Sequence, residues 1–305
     1  MGNEKGIAFA VCAALVSGFS VFLNGVAVSQ ADPFAYTTLK GILAVIFLAA
    51  CVMILKEVRN FSLSRKQWAM LALVGIIGGS VPFLMFFWGL KLGGAAVSSF
   101  IYRSLFIFAG VFGYLVLKEK PSKTDFFAGL AILLGNALLV SGTLAFGFGQ
   151  MLVLGATVLW ALEYTISRKI MADVHPRVVM ISRMFFGSLI LLGFLAFTGS
   201  LGTISSFFDA TSLMWLLVTS GLLFAFLSTW YFSLKYLPVF KAACIFTIGG
   251  VVTAALNLVF LGKAVSLTEA FALVVILSGA LAMIGLSNLV PSMRKMKNIL
   301  PSLVE

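Results

Sequence analysis

The sequence predicts an all-α integral membrane protein whose ten transmembrane helices form two inverted five-helix repeats. Three observations predict it. Of 305 residues, 61% are hydrophobic and only 10% charged, with a mean hydropathy of +1.13. A soluble domain carries roughly a quarter charged residues and cannot expose this much apolar surface without aggregating. The chain also divides into ten apolar runs of spanning length, and its second half repeats the punctuation of its first.

A spanning helix needs about 20 mostly apolar residues, because each rises about 1.5 Å through about 30 Å of hydrocarbon. The first run, 6–29, is too long for a signal-peptide core and reads as a mature helix. The second, 34–55, follows Pro33, and the third and fourth, 68–90 and 95–117, are separated by a short loop holding Lys91. The fifth, 125–145, follows Pro121 and a Ser122-Lys-Thr-Asp125 start. The sixth to tenth lie near 149–170, 177–199, 211–235, 239–261 and 269–290. No run alternates polar and apolar with period two, which argues against a barrel. Two domains are expected, 1–145 and 146–290, with 291–305 as a cytoplasmic tail.

Positive charge orients the helices. With the N-terminus inside, 16 of the 21 Lys and Arg fall in cytoplasmic segments and only Lys91 and Lys263 outside. Both termini are therefore expected in the cytoplasm, the inner or plasma membrane being the expected site. The net charge of +11 is explained by topology, and no nucleic-acid partner is expected. The sequon Asn60-Phe61-Ser62 then lies on the inner side.

Sliding the chain by 144 residues aligns LK at 90–91 with 234–235, Ser122 with Ser266, Asp125 with Glu269 and Gly135 with Gly279. A slide of 143 aligns Gly6 with Gly149, Pro33 with Pro176 and Lys40 with Arg183. Each repeat holds five spans. Five is odd, so the second copy enters the membrane from the opposite side, as in secondary transporters that bind substrate near the midplane.

On these residues the chain resembles the EamA-type transporters of the drug/metabolite transporter superfamily. The resemblance rests on AALVSGFSVFLNGVAV (13–28) and GATVLWALEYTISRK (155–169), on the basic residues Lys40 and Arg183 after a proline, and on LAILLGNALLVSG (130–142) and LVVILSGALAMIG (273–285). A glycine–glutamate pair expected at the end of each fourth helix is reduced to LKEK (117–120) and LGK (261–263), and a first-helix tryptophan is Ser17 in one copy and Trp160 in the other. The resemblance implies a central cavity lined by the first, third and fourth helices of each repeat.

Four ionisable residues fall within the spans: Lys40, Arg103, Glu163 and Arg183. Such residues face a cavity or a partner. Glu163 and Arg183 lie at equal depth on adjacent antiparallel helices, about 10 Å from the cytoplasmic end by rise per residue, so they are expected to pair. The alternative is that Glu163 binds a substrate amine or a coupling proton. Lys40 and Arg103 lie in the outer half without an evident carboxylate, although Asp32 is near Lys40 in the chain. A guanidinium there suits a carboxylate or phosphate. Ser20, Asn24, Tyr102, Trp160, Tyr164, Trp230 and Tyr231 complete the candidate substrate-binding set. Trp88 reads as an interfacial anchor, Gly75 and Gly79 as a close-packing pair, and His175 as a solvated loop residue.

No Walker A, GxGxxG or HExxH pattern occurs, and Cys12, Cys51 and Cys244 have no metal-ligand spacing. Neither catalysis nor a cofactor or metal is expected. The expected function is secondary transport of a small polar metabolite, an amino acid or related compound, most simply exported by alternating access. The alternatives are uptake or exchange of an anionic, nucleotide-like or sugar-phosphate metabolite, or a membrane enzyme or non-transporting membrane protein. The expected partners are the small-molecule substrate and the lipid bilayer, and a homodimer stays open.

Overall fold

A computed structural model describes residues 2–27, 32–57, 61–93, 98, 101–139, 147–262 and 264–285. The first repeat contributes α1 (Gly2–Ala27), α2 (Pro33–Ile54), α3 (Arg65–Gly79), α4 (Val81–Gly93), α5 (Leu105–Leu117) and α6 (Lys123–Leu138). The second contributes α7 (Phe148–Ile170), α8 (Pro176–Phe197), a 3-10 turn (Ser200–Phe207), α9 (Ala210–Tyr236), α10 (Val239–Phe246), α11 (Ile248–Leu261) and α12 (Leu267–Ile284). Among the described residues, eight helical runs are long and apolar enough to cross a membrane, and Ile101–Leu117 is a shorter one. With Lys123–Leu138 these occupy the ten places the sequence predicts.

The aligned punctuation has physical causes. Pro33 and Pro176 each sit in the first turn of a helix, where a missing N–H costs nothing. Ser122 with Asp125 and Ser266 with Glu269 each close a reciprocal capping box on the fifth helix of a repeat. The fifth helices then cross through their glycines. A Cβ on Gly135 would stand 2.9 Å from the Ala272 carbonyl oxygen, and one on Gly279 would stand 2.8 Å from that of Ala128. Gly135 and Ala128 correspond to Gly279 and Ala272 at the offset of 144. Such an exchanged contact is what a two-fold axis between the repeats produces.

Large side chains such as Phe197 (92% exposed) and Val259 (72%) cover the outside, as hydrocarbon allows. The buried interior holds Trp160, Tyr164, Trp230 and Tyr231 beside Leu71, Met180 and Ile245.

Among the described residues, three spans are interrupted. The third breaks at Ser80, between α3 and α4. The two fourth spans break at Ser104 and Thr247, positions 143 apart. They also end alike: Lys118 and Gly262, 144 apart, both take the left-handed conformation, at φ 58° and φ 61°.

Candidate functional site

The break at Ser80 explains the centre of the molecule. Pro82 has no N–H to give the carbonyl of Gly78 four residues back. That orphaned oxygen accepts from Trp160 Nε1 at 3.0 Å and from an Arg183 terminal nitrogen at 2.9 Å. Arg183 Nε donates to Glu163 Oε2 at 3.3 Å, so the expected pair is present. Ser167 and Tyr231 hydroxyls donate to Glu163 Oε1 at 2.6 and 2.7 Å. Glu163 is 0% exposed and Arg183 4%. The answer to a carboxylate in an apolar helix is therefore local: both its oxygens are bonded, and the guanidinium beside it cancels its charge.

Small residues permit this approach. A Cβ on Gly78 would lie 2.3 Å from Glu163 Cγ, and one on Gly187 2.6 Å from Gly79 Cα. A Cβ on Gly75 would likewise lie 2.4 Å from Phe186 Cβ.

Aromatic rings cap the cluster on the side of the broken fourth helices. Tyr102 and Phe86 meet Trp160 with ring centroids 5.3 and 5.5 Å away. Tyr164 meets Trp230 at 4.9 Å, and Trp230 meets Phe246 at 5.0 Å. Trp230 Nε1 is buried and, among the described residues, has no acceptor. One turn beyond Phe246, Gly250 makes room for Arg103, whose guanidinium a Cβ there would meet at 2.6 Å. Arg103 is half-buried and makes no ion pair among the described residues.

Lys40, Asn24 and Ser20 form a separate polar group. Lys40 Nζ donates to Asn24 Oδ1 at 2.9 Å, and Asn24 Nδ2 donates to the Ser20 hydroxyl at 3.0 Å. Tyr36, missed in the sequence, joins Asn24 at 3.0 Å to Thr219 at 2.7 Å. Asp32 serves instead as the cap of α2, accepting from Ala35 N at 2.7 Å. Of the eleven sequence candidates, Tyr102, Trp160, Glu163, Tyr164, Arg183, Trp230 and Tyr231 thus share one cluster, Ser20, Asn24 and Lys40 another, and Arg103 stands by itself against α11.

A scan against family models matches the EamA-like transporter family twice, over residues 4–141 and 147–285. The chain belongs to the EamA-like transporter family. It is accordingly an integral, multi-pass membrane protein of the drug/metabolite transporter superfamily. A solved crystal structure, 18% identical, superposes with a TM-score of 0.75 over 94% of this chain and 99% of its own, and so shares the fold. No curated protein matches.

Within this EamA-like chain the degenerate glycine–glutamate pair now has a meaning. Gly262 fills the left-handed position that Lys118 fills in the other repeat. Glu119 accepts from Arg168 Nε and, at 2.9 Å, from the backbone N–H of Val239, while Arg168 also reaches the Leu234 carbonyl. Nearby, Arg177 pairs with Glu57, and Lys241 lies 3.9 Å from Asp125. All three pairs set a first-repeat carboxylate on a second-repeat cation at the end of the bundle where α1 begins. His175 belongs to this group too. Its Nδ1 accepts from Arg177 N at 3.4 Å to cap α8 and lies 3.8 Å from Glu57, and burial holds its pKa below the ordinary imidazole value.

Proposed function

We propose that this protein is a secondary active transporter that exports a small polar metabolite bearing an anionic group, an amino acid or a related compound, across the inner membrane by alternating access. The observation that carries the reading is Arg103: a half-buried guanidinium at a broken helix, with no carboxylate to neutralise it among the described residues. A cation so placed is costly unless a ligand completes it, and its planar fork suits a carboxylate. Tyr102, Trp160, Tyr164 and Trp230 supply walls for the rest of the metabolite. Glu163 and Arg183 hold those walls in place rather than touching substrate.

The domains are residues 1–145 and 146–290, rocking about their pseudo-two-fold axis, with both termini and the 291–305 tail in the cytoplasm. The three inter-repeat ion pairs then close the cytoplasmic end and favour an outward-facing state. Lys40 and Arg103, which have no carboxylate partner among the described residues, also support a second reading, exchange of a phosphorylated metabolite.

Counterflow in proteoliposomes tests the proposal. Arg103→Ala should abolish accumulation of labelled amino acid with folded protein retained, and Arg103→Lys should restore it in part. Undiminished counterflow in Arg103→Ala would remove Arg103 from the site, and sugar-phosphate exchange without amino-acid counterflow would favour the second reading.

A further inference from the structure

The two polar clusters are copies of one another. At the offset of 143, Ser20 falls on Glu163, Asn24 on Ser167 and Lys40 on Arg183. Their contacts repeat as well. Ser167 donates one turn back to Glu163 at 2.6 Å, and Asn24 one turn back to Ser20 at 3.0 Å. Arg183 reaches across to Glu163 at 3.3 Å, and Lys40 reaches across to Asn24 at 2.9 Å. Each cluster is closed by the third helix of the other repeat. Gly78 accepts from Arg183 at 2.9 Å, and Thr219 joins Tyr36 at 2.7 Å.

One element has no copy. Where the second repeat has the Glu163 carboxylate, the first has the Ser20 hydroxyl. No carboxylate lies within 4.0 Å of Lys40 among the described residues. Its acceptor is a neutral amide, and its other neighbour is the Tyr36 ring, 5.2 Å away. An ammonium inside a spanning helix with only these partners lacks the counter-ion its twin possesses. A lysine donates three hydrogen bonds, and among the described residues one is used here.

We propose that Lys40, Asn24 and Ser20 form a second binding station, in the outer half of the protein, for the carboxylate of the transported metabolite. The metabolite supplies there the counter-ion that Glu163 supplies within the other repeat. Lys40 Nζ and the Ser20 hydroxyl donate to its two oxygens, while Asn24, whose amide hydrogens go to the Ser20 carbonyl at 2.6 Å and hydroxyl at 3.0 Å, holds these donors in place. One positive charge matches one carboxylate, as the Arg183–Glu163 pair already demonstrates within the same fold. The station rests on the carrier reading and adds to it a stop between Arg103 and the outer opening.

The test builds the missing carboxylate into the chain. In Ser20→Glu the side chain should reach Lys40 as Glu163 reaches Arg183. Without any ligand, Ser20→Glu should raise the midpoint of thermal unfolding in the native background and lower it in Lys40→Gln. With Arg103→Ala removing the central site, the twenty amino acids should shift the midpoint and their α-amides should not. Adding Ser20→Glu should weaken that response at least about tenfold, the scale of one charge-assisted hydrogen bond lost. Equal destabilisation by Ser20→Glu with and without Lys40 would overturn the proposal. So would equal responses to acids and amides, undiminished acid binding in the Ser20→Glu protein, or no response to any acid. Failure of the carrier reading looks different: acid binding and its loss persist in these variants while the protein with Arg103 intact shows no counterflow.

Discussion

Replacing Glu163 by Gln changes one charge in a site where every partner is known. The carboxylate accepts from Tyr231 at 2.7 Å, Ser167 at 2.6 Å and Arg183 at 3.3 Å, and it is wholly buried. Breaking a buried ion pair costs about 3–5 kcal/mol, mostly because the remaining charge is left uncompensated. Glutamine keeps an oxygen for Tyr231 and Ser167, and Arg183 keeps the Gly78 carbonyl at 2.9 Å. The loss therefore falls at the lower end, about 3 kcal/mol, or about 6 °C in melting temperature at about 2 °C per kcal/mol. A net stability on the order of 5–15 kcal/mol leaves the variant folded. Removing both charges, in Glu163→Gln with Arg183→Met, should recover most of the loss, because no buried charge then lacks a partner. The assay is thermal unfolding of the purified single and double variants. A melting temperature for Glu163→Gln within about 1 °C of the native protein, roughly 0.5 kcal/mol, would refute this account of the pair. So would simple additivity of the two substitutions.

Other perturbations follow from single contacts. Gly187→Ala would push a methyl to 2.6 Å from Gly79 Cα and should cost about 1–3 kcal/mol by overpacking, read as a lowered melting temperature. Lys118→Gly should stabilise by about 1 kcal/mol, because Lys118 holds a left-handed conformation that glycine adopts freely; an unchanged melting temperature would count against it. Glu119→Ala removes the acceptor of Arg168 Nε and of the Val239 N–H, and should raise labelling of cysteines placed between the repeats at the end of the bundle where α1 begins. His175 has a pKa below the ordinary value, so the folded state binds its proton less well than the unfolded chain does. Its stabilising contribution is thus present above about pH 6.5 and fades as pH falls through the folded-state pKa, a decline that His175→Asn should flatten in melting curves taken from pH 8 to 5.

Much of this architecture was legible because hydrocarbon imposes a coarse rule. Long apolar runs, Pro33 and Pro176 at helix starts, and the paired Ser–acid caps all follow from satisfying backbone groups at known places. The Glu163–Arg183 pair was legible from depth alone. The acceptor on Gly78 was within reach as well: Pro82 names the carbonyl it orphans. By contrast, the breaks at Ser104 and Thr247 carry no proline and no local signal. Tyr36 and Thr219 were missed because a hydroxyl in a spanning helix can bond its own backbone, as Thr219 also does to the Trp215 carbonyl, and spacing does not show which face it serves. The inter-repeat pairs were hidden for a different reason. Glu119 and Arg168 are 49 residues apart, and only the folded hairpins bring them together.

The asymmetry between the repeats is where function enters a symmetric frame. A strict two-fold would give two identical polar clusters and two identical gates, with neither side of the membrane preferred. Here the second repeat closes its own charge with Glu163, while in the first Lys40 has no carboxylate partner among the described residues. Likewise Glu119 ties the two repeats together at one end of the molecule, while the residue 144 positions further along the sequence is Lys263, of the opposite sign. Both departures act in one direction. In the orientation proposed above, they consolidate the cytoplasmic end and leave in the outer half cations with no carboxylate partner among the described residues, which would favour an outward-facing state with an anion bound. In the proposed cycle the carrier would also visit an inward-facing state, and the bound metabolite would offset the cost of opening the three inter-repeat ion pairs through contacts made better there. Arg103, at the break of its helix beside Gly250, is the residue to which the proposed function gives such contacts.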